Sequence, residues 1–275
     1  MRGWHDSGFA MVVLQTSMTF ADGNILASRR VPVTTIVINC TESKNALDAK
    51  TASGLAGAFQ IADADEEVRA IVVAGASGSF CTGADLKRLA AGDPYFPWAG
   101  GIDGPLAAPL SKPVIAAIEG PATAEGLGLA LFCDFRIVDD TAVFAVASRQ
   151  WGAALGDGTT VRLPRLIGMG RALDLVLTGR SVGADEAITL GLASRKVARG
   201  STRTEAERLA ARLSELPQSA LLADRQSVYE GFDRSIPEAI GREVEAARAA
   251  YGPEAKAGIA KHAQAATGSI RLLRA

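Results

Sequence analysis

At 275 residues, 48% of them hydrophobic, the chain is long enough to bury a sizeable core, and one core domain with a helical appendage is expected. The 30 acidic and 29 basic residues leave a net charge of -1, which excludes the broad basic field that steers a protein onto nucleic acid or anionic lipid. Only His5 and His262 are available as histidines, too few for a histidine triad or a histidine-ligated site, so no metal is expected. The widely spaced Cys40, Cys81 and Cys133 read as buried thiols. No stretch is apolar enough for a signal peptide or a membrane span, and a cytoplasmic protein is expected.

Along the chain, the short β-branched run Thr34 to Cys40 predicts a buried strand. Asn45 to Ala62 predicts a helix, with Leu47, Leu55, Phe59 and Ile61 as apolar surface and Asp48 near its positive end. A strand at Ala70 to Ala74 ends in a Gly-Ala-Ser-Gly-Ser turn. The segment Ala91 to Leu110, rich in Gly, Pro and aromatics including Tyr95 and Trp98, predicts a loop that covers something. A strand at Pro113 to Ile118, a turn, a helix from Gly126 to Cys133 and a strand at Phe135 to Val138 follow. This alternation argues for βαβ units and a mostly parallel sheet. From Thr202 onward, Leu209, Leu213 and Leu216 at helical spacing mark an all-helical C-terminal segment.

Two strand-to-helix turns carry small residues: Ser79-Phe80-Cys81-Thr82-Gly83-Ala84-Asp85-Leu86, and Glu119-Gly120-Pro121-Ala122-Thr123-Ala124-Glu125-Gly126-Leu127-Gly128. Such turns let backbone approach a ligand closely, and N–H groups opening a helix have no partner within it. Two amides converging on one carbonyl oxygen stabilise a developing negative charge by roughly 3 to 4 kcal/mol per donor. Glycine turns of this kind occur in many α/β proteins, so neither is specific alone.

Their context is specific. Lys44-Asn45-Ala46-Leu47-Asp48, Val68-Arg69-Ala70-Ile71-Val72-Val73, the Phe80 to Leu86 turn, Cys133-Asp134-Phe135-Arg136, Arg162-Leu163-Pro164-Arg165, Leu177-Thr178-Gly179-Arg180 and Gly191-Leu192-Ala193 resemble, in order and spacing, the crotonase (enoyl-CoA hydratase/isomerase) superfamily. The resemblance implies an α/β fold, a spiral of βαβ units over residues 1–200, and a C-terminal helical segment over 201–275 that assembles homotrimers or hexamers. It further implies an enzyme of lyase or isomerase type, with an acyl-CoA thioester as substrate and coenzyme A as part of it. No permanently bound cofactor is expected. In that frame the oxyanion amides belong to Ala84 and Glu125, Lys44 reaches toward the CoA phosphates, and the backbone around Ala46, Thr82 and Leu86 lines the adenine and pantetheine path.

Hydration of an enoyl thioester needs one group to activate water and another to protonate the α-carbon. In the same frame the two glutamates that do this in hydratases are replaced by Gly128 and Ser148, so classical hydration is not expected. Ser148 has no histidine beside it to make it a nucleophile, but its hydroxyl suits a hydrogen bond to substrate. Two other carboxylates are candidates. Asp157, in a Gly-Asp-Gly loop, is either a base activated by burial or a backbone-capping turn residue. Glu125 stands where the family favours glycine; its side chain either points into the pocket as a replacement base or points away and leaves only its amide at work, and since an ionised group would oppose an enolate the outward orientation is favoured. Asp85 and Asp134 read as structural, each at a helix end. Three functions follow: a thioester enzyme with a changed acid/base set, a catalytically silent acyl-CoA-binding homologue, and a C–C bond hydrolase of β-diketone type using Asp157.

Overall fold

The computed structural model describes residues 15–95, 97, 98, 104 and 106–265. The chain divides into two compact units, Met1–Ala210 and Ala211–Ala275. In the first, β1 (Gln15–Phe20), β2 (Ile25–Arg30) and β3 (Val33–Ile38) form an antiparallel meander. The expectation of parallel βαβ units did not include this meander. From β3 the sheet continues in parallel through β4 (Ala70–Gly75), β5 (Val114–Ile118), β7 (Phe135–Val138) and β10 (Arg195–Lys196). A second sheet pairs β6 (Pro121–Thr123) with β8 (Val143–Ala145) in parallel, and β8 with β9 (Ser181–Gly183) in antiparallel. The mixed α/β architecture with C-terminal helices is the one expected.

Strand β4 is buried along almost its whole length, consistent with its unbroken Ala-Ile-Val-Val-Ala run. Helix α1 (Ala49–Ala64) packs Leu55 and Phe59 into the core, where Phe59 meets Phe132 edge-on at 5.8 Å. It starts later than the sequence suggests. Asp48 is the N-cap, accepting from the Thr51 N–H at 2.8 Å, while Asn45 sits in a left-handed turn with φ 60°. The Asn45 side chain accepts from the Cys40 N–H and donates to the Ala76 and Ser79 carbonyls, so it pins this turn to the one after β4.

Short α2 (Leu86–Ala90) is capped by Asp85, whose carboxylate accepts from the Lys87 and Arg88 N–H groups. Helix α3 (Glu125–Phe132) is buried throughout, and Asp134 just after it accepts from the Val114 N–H at 2.7 Å. Helices α4 (Thr159–Ile167), α5 (Met169–Thr178) and α6 (Ala184–Leu190) follow, and α7 (Thr202–Ser214) ends the first unit and begins the second. In the second unit α8 (Gln218–Gly231) packs on α9 (Ile236–Ala250), and α10 (Pro253–Ala265) completes it. The loop expected over Ala91 to Leu110 lies partly outside the described residues. Cys81 and Cys133 are buried thiols as expected, whereas Cys40 is only half-buried because it lies in the turn between β3 and α1. Among the described residues no helix is long and apolar enough to cross a membrane.

Candidate active site

The two small-residue turns are locked against each other. The Cys81 N–H donates to the Pro121 carbonyl at 2.9 Å and the Thr123 N–H to the Cys81 carbonyl at 3.0 Å. Glycine is required at two places in this contact. Gly83 has φ 95°, and a Cβ on it would lie 2.8 Å from the Ala124 Cβ and 3.0 Å from the Glu125 nitrogen. A Cβ on Gly126 would lie 2.1 Å from the Cys81 carbonyl oxygen. Ala124, a non-glycine at φ 50°, is held by donation of its N–H to the Ala145 carbonyl at 3.0 Å. A residue in such a conformation costs on the order of 1–3 kcal/mol, and it stands directly before α3.

On the other side, the Leu47 N–H donates to the Gly83 carbonyl at 2.7 Å and the Asp85 N–H to the Leu47 carbonyl at 3.0 Å. These bonds use the groups flanking Ala84 and leave its own N–H out of the pairing. Among the described residues neither the Ala84 nor the Glu125 N–H donates to a backbone carbonyl, and both residues line one cavity of about 700 Å³. Two amides without backbone partners on adjoining turns suit an oxyanion site, the Ala84 N–H here meeting the Glu125 carboxylate.

The same cavity is lined by Lys44, Ala46, Thr82, Leu86 and Ser148. Lys44 is exposed, in a left-handed turn at φ 54°. Its carbonyl accepts from the Ser79 hydroxyl at 3.0 Å and the Thr82 hydroxyl at 3.2 Å, which fixes this rim to the first turn. Leu89, Trp151, Ala153, Ala154 and Leu155 supply apolar wall. The cavity thus has a charged rim, an apolar body and two amide donors.

Glu125 corrects an expectation. Its residue is only 8% exposed and its carboxylate faces the Tyr95 hydroxyl and the Ala84 N–H, so the side chain points into the site and not outward. Burial pushes its pKa up to about 7; the nearby Asp157 raises it further, while the Tyr95 hydroxyl and the Ala84 N–H pull it down. The electrostatic objection to an inward carboxylate assumed a group ionised beside an enolate. A base that takes up the proton as the enolate forms is neutral at that moment.

Gly128 and Asp157 lie behind the cavity and do not line it. Asp157 is 2% exposed; one oxygen, Oδ1, accepts from the Thr159 N–H at 2.9 Å, and Oδ2 has no hydrogen-bond partner among the described residues. Burial raises its pKa, against the pull of the Thr159 N–H. A Cβ on Gly128 would lie 2.4 Å from Asp157 Oδ2, so the missing side chain on α3 makes room for this carboxylate. The backbone-capping reading of Asp157 matches its bond from the Thr159 N–H.

Ser148 stands in the 3₁₀ turn Ala147–Trp151 that follows β8, 5% exposed, with an Oγ that has no partner among the described residues. Tyr95 is the residue that sequence reasoning passed over. Its hydroxyl is set beside Gly156, 3.3 Å from where a Cβ on that glycine would be, and beside Glu125. The aromatic cluster at residues 94–98 was the available signal, but it carried no register against the site.

The chain matches the family model described as enoyl-CoA hydratase/isomerase over residues 29–262. It is 34% identical over 224 residues to the probable enoyl-CoA hydratase EchA8 of Mycobacterium bovis, an alignment covering 78% of this chain and 85% of that protein. It is 33% identical over 212 residues to the enoyl-CoA hydratase EchA19 of Mycobacterium tuberculosis, covering 74% and 80%. The crystal structure of an enoyl-CoA hydratase from Mycobacterium tuberculosis superimposes with a TM-score of 0.82 at 30% identity, over 88% of this chain and 96% of that one. One from Bacillus anthracis gives 0.79 at 27% identity, over 90% and 99%.

Proposed function

Because the chain belongs to the enoyl-CoA hydratase/isomerase family, we propose that it binds an acyl-CoA thioester and moves a proton at its α-carbon, with Glu125 as the single acid/base group. The thioester oxygen accepts from the Ala84 and Glu125 N–H groups, and Lys44 at the rim meets the CoA phosphates. The Glu125 carboxylate takes the α-proton, the C–H electron pair moves toward the carbonyl carbon, and the carbonyl oxygen gains the charge that the two amides stabilise. Return of the proton from Glu125 to the α-carbon or to a more distant carbon completes an exchange or an isomerisation.

The observation that carries this reading is the placement of one carboxylate, with a pKa of about 7, in the same cavity as two amides that lack backbone partners. Water addition needs a second acid/base group in contact with the reacting carbons. The positions that would supply it are Gly128, which has no side chain, and Ser148, which has no ionisable one.

The test is α-proton exchange of a saturated acyl-CoA in D2O, followed by proton NMR beside crotonyl-CoA hydration. We expect exchange in the parent, a fall of at least about 100-fold in Glu125→Gln, and hydration far slower than exchange. Exchange that survives Glu125→Gln would remove Glu125 from the mechanism. Binding without any exchange would make the chain a silent acyl-CoA-binding homologue.

The exposed Phe232 just after α8 and Ile236 and Ile240 on α9 support a role for the C-terminal helices in joining copies of this chain, as a trimer or a hexamer. Light scattering on the purified protein distinguishes these from a monomer.

A further inference from the structure

Ser148 lines the cavity, and its buried hydroxyl has no hydrogen-bond partner among the described residues. Although the hydroxyl of Thr159, opening α4, has no partner among the described residues, the helical hydroxyls of Thr178 and Thr189 give their proton to the carbonyl one turn back, at Asp174 (2.6 Å) and Asp185 (3.0 Å). Ser148, in the first turn after a strand, does not. A buried hydroxyl without a partner is unfavourable, and a purely hydrocarbon acyl chain would bury it further without relief.

Its position in the cavity is fixed by the second sheet. Ser148 comes three residues after Ala145, and the Ala145 carbonyl accepts the N–H of Ala124, the residue before the Glu125 amide. The Ser148 backbone is thus tied through the second sheet to the residue before the Glu125 amide, at the wall of the same cavity.

Resting on the acyl-CoA reading, we infer that the site selects a 3-oxoacyl thioester, with the Ser148 Oγ–H donating to the C3 carbonyl while the two amides hold the thioester oxygen. This substrate suits the acid/base set of the site. A carbonyl on each side of the α-carbon spreads the carbanion charge over two oxygens, each with its own donor, so a single carboxylate near neutrality suffices to take the proton. The proton passes from the α-carbon to the Glu125 carboxylate, and the electron pair it leaves is shared between the two oxygens.

The experiment compares binding of a 3-oxoacyl-CoA with that of the saturated acyl-CoA of equal length, by calorimetry, in the Glu125→Gln background where proton transfer is removed. One hydrogen bond of this type corresponds to a preference on the order of tenfold. We expect that ratio for the 3-oxo ligand with Ser148 present and a ratio near one after the further change Ser148→Ala. Equal affinities with Ser148 present, or a tenfold ratio that survives Ser148→Ala, would overturn the inference and leave the acyl-CoA reading standing. If neither thioester binds, the acyl-CoA reading itself fails and this inference fails with it.

Discussion

Replacing Gly128 by alanine probes the packing behind the cavity wall. An ideal Cβ at this position would lie 2.4 Å from Asp157 Oδ2, 2.5 Å from its Cγ and 2.8 Å from its Cβ, all well inside contact distance. Asp157 is buried and tethered by the Thr159 N–H, so it has little room to retreat. Overpacking of this kind costs about 1–3 kcal/mol, and turning the carboxylate away from Thr159 forfeits about 1 kcal/mol more. Alanine for glycine inside α3 returns about 1 kcal/mol of helix propensity. The net is a loss of about 1–3 kcal/mol, or roughly 2–12 °C in Tm for a chain of this size. Urea unfolding of the parent, Gly128→Ala, Asp157→Gly and the double variant closes a cycle, in which we expect a favourable coupling of at least about 1 kcal/mol. A Gly128→Ala protein as stable as the parent, or additive single changes, would show that the carboxylate does not fill the space left by the glycine.

Glu125 also links stability to pH. Its folded pKa of about 7 lies above the ordinary 4.5, so between these values the folded chain holds a proton that the unfolded chain releases. The stabilisation by that proton is complete below pH 4.5 and lost as pH rises to 7; Glu125→Gln should flatten this slope and exceed the parent above pH 7 by up to about 3 kcal/mol, read by urea unfolding at pH 5 and pH 8. Asp157 raises the Glu125 pKa by like charge, so Asp157→Asn should move the acidic limb of the exchange rate to lower pH, and an unmoved limb would show that the two carboxylates are not coupled. Lys44→Ala should raise KM several-fold for CoA thioesters but not for pantetheine thioesters, which lack the nucleotide phosphates; an equal change for both would place Lys44 elsewhere.

The buried strands β3, β4, β5 and β7 were legible because continuous β-branched runs have few alternatives to a sheet interior. The N-terminal hairpin β1 and β2 was not, since its mixed residues Gln15–Phe20 and Ile25–Arg30 gain strand character only by pairing, β1 with β2 and β2 with β3. Helix α1 was placed four residues early because the Asn45 side chain diverts the preceding backbone into a turn through bonds to residues more than thirty positions away.

In the site, the glycine turns and their neighbours were readable from the chain alone, because closeness of backbone to backbone dictates residue size: a Cβ on Gly83 or Gly126 has nowhere to go. By itself the sequence therefore determined the family and the small residues where the two turns meet. Only the tertiary structure decided that Glu125 turns inward, that Asp157 fills the space left at Gly128, that the Tyr95 hydroxyl meets Glu125, and that the Ser148 hydroxyl has no partner among the described residues. Side-chain direction and carboxylate ionisation depend on burial and on neighbours brought together from distant segments, and no local pattern of residues encodes them.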